Sequence, residues 1–421
     1  MVELKPGDNI SLKGGTSAKV IKELGRGGQG IVYLVELGGT KMALKWYIHA
    51  PSDVFYKNLE ENISKGAPSD AFLWPEYLTA KQKGSYGYVM KLRPQGYYEF
   101  GQYLLARVQF NSIEAMLNAA MKICEGFMKL HLNGYSYQDL NDGNFFIHPD
   151  TGDVLICDND NVMPQGSQSG ILGKARYMAP EIVLGKNMPD KYSDRYSLAV
   201  ILFLLFYGDH PLEGKKVLSC SCMTESYEKK FYGSEATFIY DDTCTDNRPV
   251  RGVHNNVITF WTLFPESLRL TFKQEFSQEH LKNPQKRMIE AKWQKIIQEL
   301  RDSLVVCPFC GDDSFVEDEQ NSVCINCKRR FAVSGTLSIG SRKIYLTPKT
   351  KVYIDLDNKP DMLIVAHPGG KYPAFIKNTT QSKWVVETQS GNLKPIEPGE
   401  EFPVRKGLKV VLSGAEKGEL I

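Results

Sequence analysis

The chain has 421 residues, and at roughly 150 per domain it divides into two or three domains, enough to bury a large core. Its 51 Lys and Arg stand against 49 Asp and Glu, a net +2 that excludes a global electrostatic grip on nucleic acid or membrane and leaves only local patches. With 42% hydrophobic and 24% charged residues it reads as an ordinary globular chain, and nine cysteines, an odd number, argue against a fully paired disulfide framework. The N-terminal MVELKPGDNISLKGG lacks the apolar stretch of a signal peptide. The most apolar run, 198–207, is ten residues, about half of a membrane span. We expect a reducing cytoplasmic setting, no membrane partner, and cysteines that are free or metal-bound.

In chain order, strand-like alternation with turn glycines covers residues 17–47, closed by the hairpin signal Gly38-Gly39. Residues 112–132 turn helical, with Ser112 as N-cap and Ile113, Met116, Leu117, Ala120, Met121, Cys124 and Phe127 along one stripe. A buried helix is expected over 193–207, and an amphipathic one over 285–304 with Met288, Ile289, Trp293, Ile296, Ile297 and Leu300 on one face. Cysteine pairs follow at 307–327. Beyond Arg330, short runs such as KIYL, MLIVAH and KWVVET between Gly, Pro and Asn turns predict a small all-β unit.

Gly25-Arg26-Gly27-Gly28-Gln29-Gly30 matches G-x-G-x-x-G, a weak signal alone. A dinucleotide fold would follow it with a helix; here Ile31-Val32-Tyr33-Leu34-Val35 is another strand, which suits a hairpin lid over phosphates. Thirteen residues past Val32, Ala43-Leu44-Lys45 places a strand lysine. After the 112–132 helix, Asp139 is followed five residues later by Asn144 and then by the apolar Phe145-Phe146-Ile147. Fourteen residues past Asn144 comes Asp158, at the end of Val154-Leu155-Ile156-Cys157. Ala179-Pro180-Glu181, Asp194 and Asn283-Pro284-x-x-Arg287 complete the series.

In the order and spacing of these motifs, residues 17–303 resemble the eukaryotic-type protein kinase family. The resemblance implies a bilobal kinase (N-lobe 1–93, C-lobe 94–304); with the cysteine pairs and β-rich runs beyond it, the chain reads as an α+β fold in which the kinase is followed by a zinc ribbon (305–332) and a β-rich domain (333–421). The resemblance also implies that Gly25, Gly27 and Gly30 close over the phosphates of ATP, that Leu24, Val32, Ala43 and Phe146 sandwich adenine, and that Met90 stands before the hinge Lys91-Leu92-Arg93. Lys45 would hold the α- and β-phosphates and pair with a helix glutamate, Glu60 favoured over Glu61 because Ile63 lies three positions on. Asp139 matches the base that accepts the substrate proton, Asn144 and Asp158 the Mg²⁺ ligands, and Glu181 with Arg287 a structural ion pair.

The family's His-Arg before the base is Tyr137-Gln138 here, which removes the cation that would receive a phosphorylated activation loop. That loop's hydroxyls are Ser167, Ser169 and Tyr177. Asp-Phe-Gly is Asp158-Asn159-Asp160; Asp160 either adds charge near the metal or caps the turn. The lysine that Ser/Thr kinases carry two residues after the base is Asn141, and the threonine of the later segment is Lys174. Lys174 is expected to supply the charge that Asn141 lacks, against the alternative of a solvated loop lysine.

Cys307-x-x-Cys310 and Cys324-x-x-Cys327, with 13 residues between, match a four-thiolate structural zinc site, against a redox pair as the alternative. Lys328-Arg329-Arg330 reads as solvated surface more readily than as a nucleic-acid contact. The layout, with DNDN in the metal segment, looks like bacterial kinases of tellurite-resistance-associated phosphorylation systems, which implies von Willebrand-type and phosphatase partners. The expected activity is ATP-dependent phosphorylation of protein hydroxyls, Ser/Thr favoured; the alternative is a nucleotide-binding pseudokinase scaffold acting through its ribbon and β domain.

Overall fold

A computed structural model describes residues 3–168, 170, 173–412 and 417–421. Ser169, one of the loop hydroxyls, lies outside the described residues. The chain opens with a six-stranded antiparallel sheet in the order β1-β2-β3-β4-β6-β5, formed by β1 (Asn9–Ser11), β2 (Ser17–Arg26), β3 (Gly30–Leu37), β4 (Thr40–Tyr47), β5 (Pro75–Leu78) and β6 (Gly87–Lys91). Gly38 and Gly39 both take left-handed backbone, φ 57° and 81°, which a two-residue hairpin between β3 and β4 demands. One face of the sheet buries Val20, Tyr33, Val35, Leu44 and Trp46. Helix α1 (Asp53–Lys65), capped by Ser52 on Phe55 N, covers the other.

The helical part is built on Ile113–Leu132 and Lys191–Tyr207. Ser112 Oγ accepts from Ala115 N at 3.0 Å, as the N-cap expectation requires. From 198 to 207 this second helix is apolar on all sides, and that stretch belongs to the largest core cluster. The helix expected over 285–304 is shorter, Glu290–Ser303, after a single 3-10 turn at Pro284–Lys286. Arg287 is extended, φ −57° and ψ 143°, so that its guanidinium reaches Glu181 in two bonds of 2.8 and 2.6 Å. Ile289, expected on the apolar face, is therefore left 48% exposed ahead of the helix.

Two hairpins follow, Leu304–Val306 with Asp313–Phe315 and Ser322–Val323 with Arg330–Phe331. Beyond them, a six-stranded sheet that includes Gly335–Ile339, Trp384–Glu387 and Lys417–Leu420 faces a four-stranded one that includes Met362–Val365 and Phe375–Asn378. The two sheets share one apolar core around Met362, Ile376, Trp384 and Ile396. This unit is bolted to the helices. Arg301, 5% exposed, donates to Asn118 Oδ1 (2.7 Å) and Asp357 O (3.0 Å), and its guanidinium lies 4.6 Å over the Tyr353 ring. Arg342 grips Asp302 through two bonds of 2.9 and 2.8 Å, and Lys351 reaches Glu114 at 3.1 Å. No described helix is long and apolar enough to cross a membrane.

Candidate active site between the sheet and the helices

The catalytic loop is pinned from below by Asp194 of the Lys191–Tyr207 helix. Its carboxylate accepts from the amides of Tyr137 (2.6 Å) and Gln138 (3.0 Å) and meets His131 Nε2 at 3.1 Å. His131 also touches Glu290 at 2.9 Å; burial alone would lower its pKa, but the two carboxylates outweigh it and push it up to about 9. With its backbone so held, Gln138 takes left-handed φ, 70°. Its side chain donates to Ser167 O at 2.7 Å, a neutral bond to the activation segment where the family's arginine would stand.

Asp139 follows, partly buried. Burial raises its carboxyl above the ordinary aspartate range, and Lys174 and the Asn141 bond pull it partly back. Asn141 is the connector. Its amide nitrogen donates to Asp139 O (3.1 Å) and Oδ1 (3.3 Å), while its Oδ1 accepts from Lys174 Nζ at 2.8 Å. Gly173 allows the approach: at φ 91° any side chain is strained, and a Cβ there would meet Asp139 Oδ1 at 3.3 Å. Lys174 itself is 61% exposed, with Asp142 Oδ1 at 3.9 Å.

Asn144 closes the turn, its Oδ1 accepting from Asn141 N at 2.7 Å. Cys157 N donates to Asn144 O at 2.8 Å and so ties the segment bearing Asp158 to the catalytic loop. Asp158 is left-handed, φ 56°, and its side chain stays 48% exposed. An amide oxygen keeps a second lone pair and Asp158 is open, so this oxygen donor set fits a hard divalent cation completed by phosphate and water.

Opposite, Lys45 on β4 is 6% exposed and donates to Asp158 Oδ1 at 3.3 Å and Asp160 Oδ1 at 3.0 Å. Glu60 does not reach it. The Glu60 side chain is half exposed and paired with Lys13, because α1 buries Phe55, Asn58, Leu59 and Asn62 and turns Glu60 and Glu61 away from the strand lysine. The expected helix glutamate is corrected on this point: α1 presents amides, Asn58 and Asn62 both donating to Val162 O at 3.0 and 2.9 Å. Asp160 does not cap the turn. It is fully buried inside the 3-10 turn, whose N-cap is Asp158, and it adds its charge beside Asp158 through the lysine that both carboxylates share.

The adenine-side expectations gather around one apolar cluster. Ala43 and Met90 are cross-strand partners within it, and Val32, Leu92 and Phe146 pack on its margin. Leu24 is 45% exposed outside it, and Lys91 points its side chain to solvent, which leaves its backbone as its contribution. Gly25 leaves open space where a Cβ would stand, and at Gly27 a Cβ would make only an ordinary contact with Gly30 O at 3.9 Å. Gly30 serves the sheet, since a Cβ there would meet Trp46 O at 2.7 Å.

The four cysteines 307, 310, 324 and 327 place their sulfurs within 4.8 Å of one another, with Cys307–Cys327 at 3.8 Å and Cys310–Cys324 at 3.6 Å. Metal–sulfur bonds of ~2.3 Å give a tetrahedral edge of ~3.8 Å, so the arrangement is compatible with a four-thiolate zinc site. Gly311 and Lys328, each four residues after the first cysteine of its knuckle, are both left-handed, and Phe309 N and Asn326 N each point at a sulfur from 3.4 Å. Arg329 lies 5.5 Å over the Phe309 ring, so this part of the basic run packs on the ribbon itself.

Residues 18–243, more than half of the chain, match the protein kinase domain model, and the chain belongs to that family. It is 30% identical to protein kinase C delta type of Mus musculus over 206 residues, 46% of this chain and 29% of that protein. It is 29% identical to serine/threonine-protein kinase Pkn1 of Myxococcus xanthus over 209 residues, again 46% and 29%. A probable serine/threonine-protein kinase, PknB of Corynebacterium glutamicum, is 30% identical over 113 residues, 25% of this chain and 17% of that one. The chain thus spans under a third of the length of the curated relatives it matches.

Proposed function

We propose that the protein transfers the γ-phosphate of ATP to protein hydroxyls, serine and threonine favoured, with the site between the sheet and the helices. The observation that carries this is the Asp139–Asn141–Lys174 chain of bonds, set opposite Lys45 and Asp158. Phosphoryl transfer asks for positioning and charge neutralisation more than for covalent chemistry. Asp139, its affinity for a proton raised by burial, accepts the hydroxyl proton. Lys174 supplies positive charge beside it, and Lys45 holds the α- and β-phosphates under the 25–30 glycine loop. Asn144 and Asp158 would hold Mg²⁺, which supplies neutralisation of phosphate charge. Val32, Ala43, Met90, Leu92 and Phe146 receive the adenine. The preference for serine and threonine is supported by the names of the relatives. We take 1–93 and 94–304 as the kinase lobes, 305–332 as the ribbon and 333–421 as the β domain.

Transfer of labelled γ-phosphate to the chain itself or to a generic protein acceptor tests the reading. Asp139→Ala is expected to lower it about 10²–10⁴-fold, the usual weight of a general base. No transfer by the unaltered chain with any acceptor, together with normal nucleotide binding, sinks the kinase reading and leaves a scaffold. The ribbon is tested separately: a zinc-selective chelator should release one zinc per chain and lower the melting temperature. Absence of bound zinc in the purified protein would refute that part.

A further inference from the structure

We infer that Asp160 is the positioning residue for Lys45, taking over from the metal segment the task that a helix carboxylate would perform. Three observations converge on it. All three acids of α1 are engaged or exposed on the outside: Asp53 with Lys81, Glu60 with Lys13, and Glu61 in solvent. The inner face of α1 carries Asn58 and Asn62, whose amides hold Val162 O, so the helix grips the segment just past Asp160 instead of the lysine. Asp160 is 0% exposed with both oxygens committed, Oδ1 to Lys45 at 3.0 Å and Oδ2 to Lys45 at 2.9 Å and the Tyr47 hydroxyl at 2.6 Å.

A buried ammonium without a buried counter-charge is strongly disfavoured, and Asp158, half exposed and 3.3 Å away, is the weaker of the two partners. The geometry therefore divides the labour of the DND sequence: Asp158 stays open for the cation, and Asp160 fixes the ammonium from behind. Tyr47, two residues past Lys45 and so on the same face of β4, orients the carboxylate. Because Asp158 and Asp160 share one 3-10 turn, lysine and cation ligand are positioned by a single short segment.

This inference rests on the reading of Lys45 as a phosphate ligand, and the test separates the two. Affinity for ADP with Mg²⁺ is measured by calorimetry on the full chain, alongside kcat and KM for ATP. Asp160→Asn is expected to weaken ADP binding at least tenfold and raise KM for ATP, while KM for the protein acceptor stays constant. Glu60→Gln should stay within twofold. In a Lys45→Met background, Asp160→Asn should cost ADP binding less than twofold, because the carboxylate acts through the lysine; a purely structural role would give the same loss in both backgrounds. Failure of the unaltered chain to bind ADP overturns the nucleotide reading. Normal binding with Asp160→Asn unchanged, or with Glu60→Gln equally impaired, overturns this inference alone. Should Asp160→Asn not fold, Tyr47→Phe decides: a severalfold loss of ADP affinity supports the role, and no change refutes it.

Discussion

The two sides of the cleft lose an expected charge and recover it in opposite ways. On the catalytic-loop side a lysine is replaced by Asn141, and a cation returns from Lys174, 61% exposed and joined through an amide. On the strand side the helix acid is replaced by amides, and an anion returns from Asp160, fully buried and in direct contact with Lys45. The chemistry needs charge at a place, and the chain is free to supply it from a different segment. The medium differs, and with it the worth of each exchange. A solvated ammonium acts in a high dielectric and is screened by salt, whereas a buried pair is screened far less and is costly to break.

Lys45→Ala strands Asp160 as a buried, uncompensated charge and removes the proposed phosphate ligand; transfer should fall at least about 10³-fold and the melting temperature should drop. Lys174→Ala should cost about 10–100-fold with the melting temperature unchanged, since its own side chain is 61% exposed. Equal losses in the two variants would erase the distinction between buried and solvated sides. Raising salt from low to physiological strength should then lower transfer by the unaltered chain more than by Lys174→Ala.

The smallest effect concerns pH. The proposed base must be ionised to act, and burial holds the Asp139 carboxyl above the ordinary aspartate range, so the acid limb of transfer is expected above that range. Lys174 pulls the same carboxyl down; removing it should move the limb to higher pH, and a limb that stays put or moves down would show that the two groups do not interact.

The catalytic loop could be read from the sequence because its parts are local: Asp139, Asn141 and Asn144 are bonded within one short turn, and their spacing is their geometry. Likewise the two cysteine knuckles repeat one local turn at Gly311 and Lys328. The lysine partner was not legible in this way. Glu60 was favoured through Ile63, an apolar neighbour, but the buried face of α1 is partly amide, and Asn58 and Asn62 do not register in an apolar stripe. A signal was present nonetheless, since Glu60 lies seven positions from Asp53, two turns on, which puts both acids on one outward face. Asp160 gave none, because nothing in a three-residue turn fixes which way a side chain points. The late start of the Glu290–Ser303 helix was hidden for a related reason, as Arg287 is drawn out of helical backbone by Glu181, more than a hundred residues earlier.

The grip of Arg301 on the β-sandwich also bears on how the chain comes apart. Gln298 Nε2 donates to Tyr353 O at 2.8 Å, Arg301 to Asp357 O, and Asp302 to none but receives Arg342, all from one helix that packs on Ile113–Leu132. A chain cut after residue 304 would open these contacts, leaving Arg301 with Asn118 and Asp302 without its arginine. The sandwich is thus no detachable passenger. Heating should show it and the helices melting in one transition, and a strain applied at one would be felt by the other.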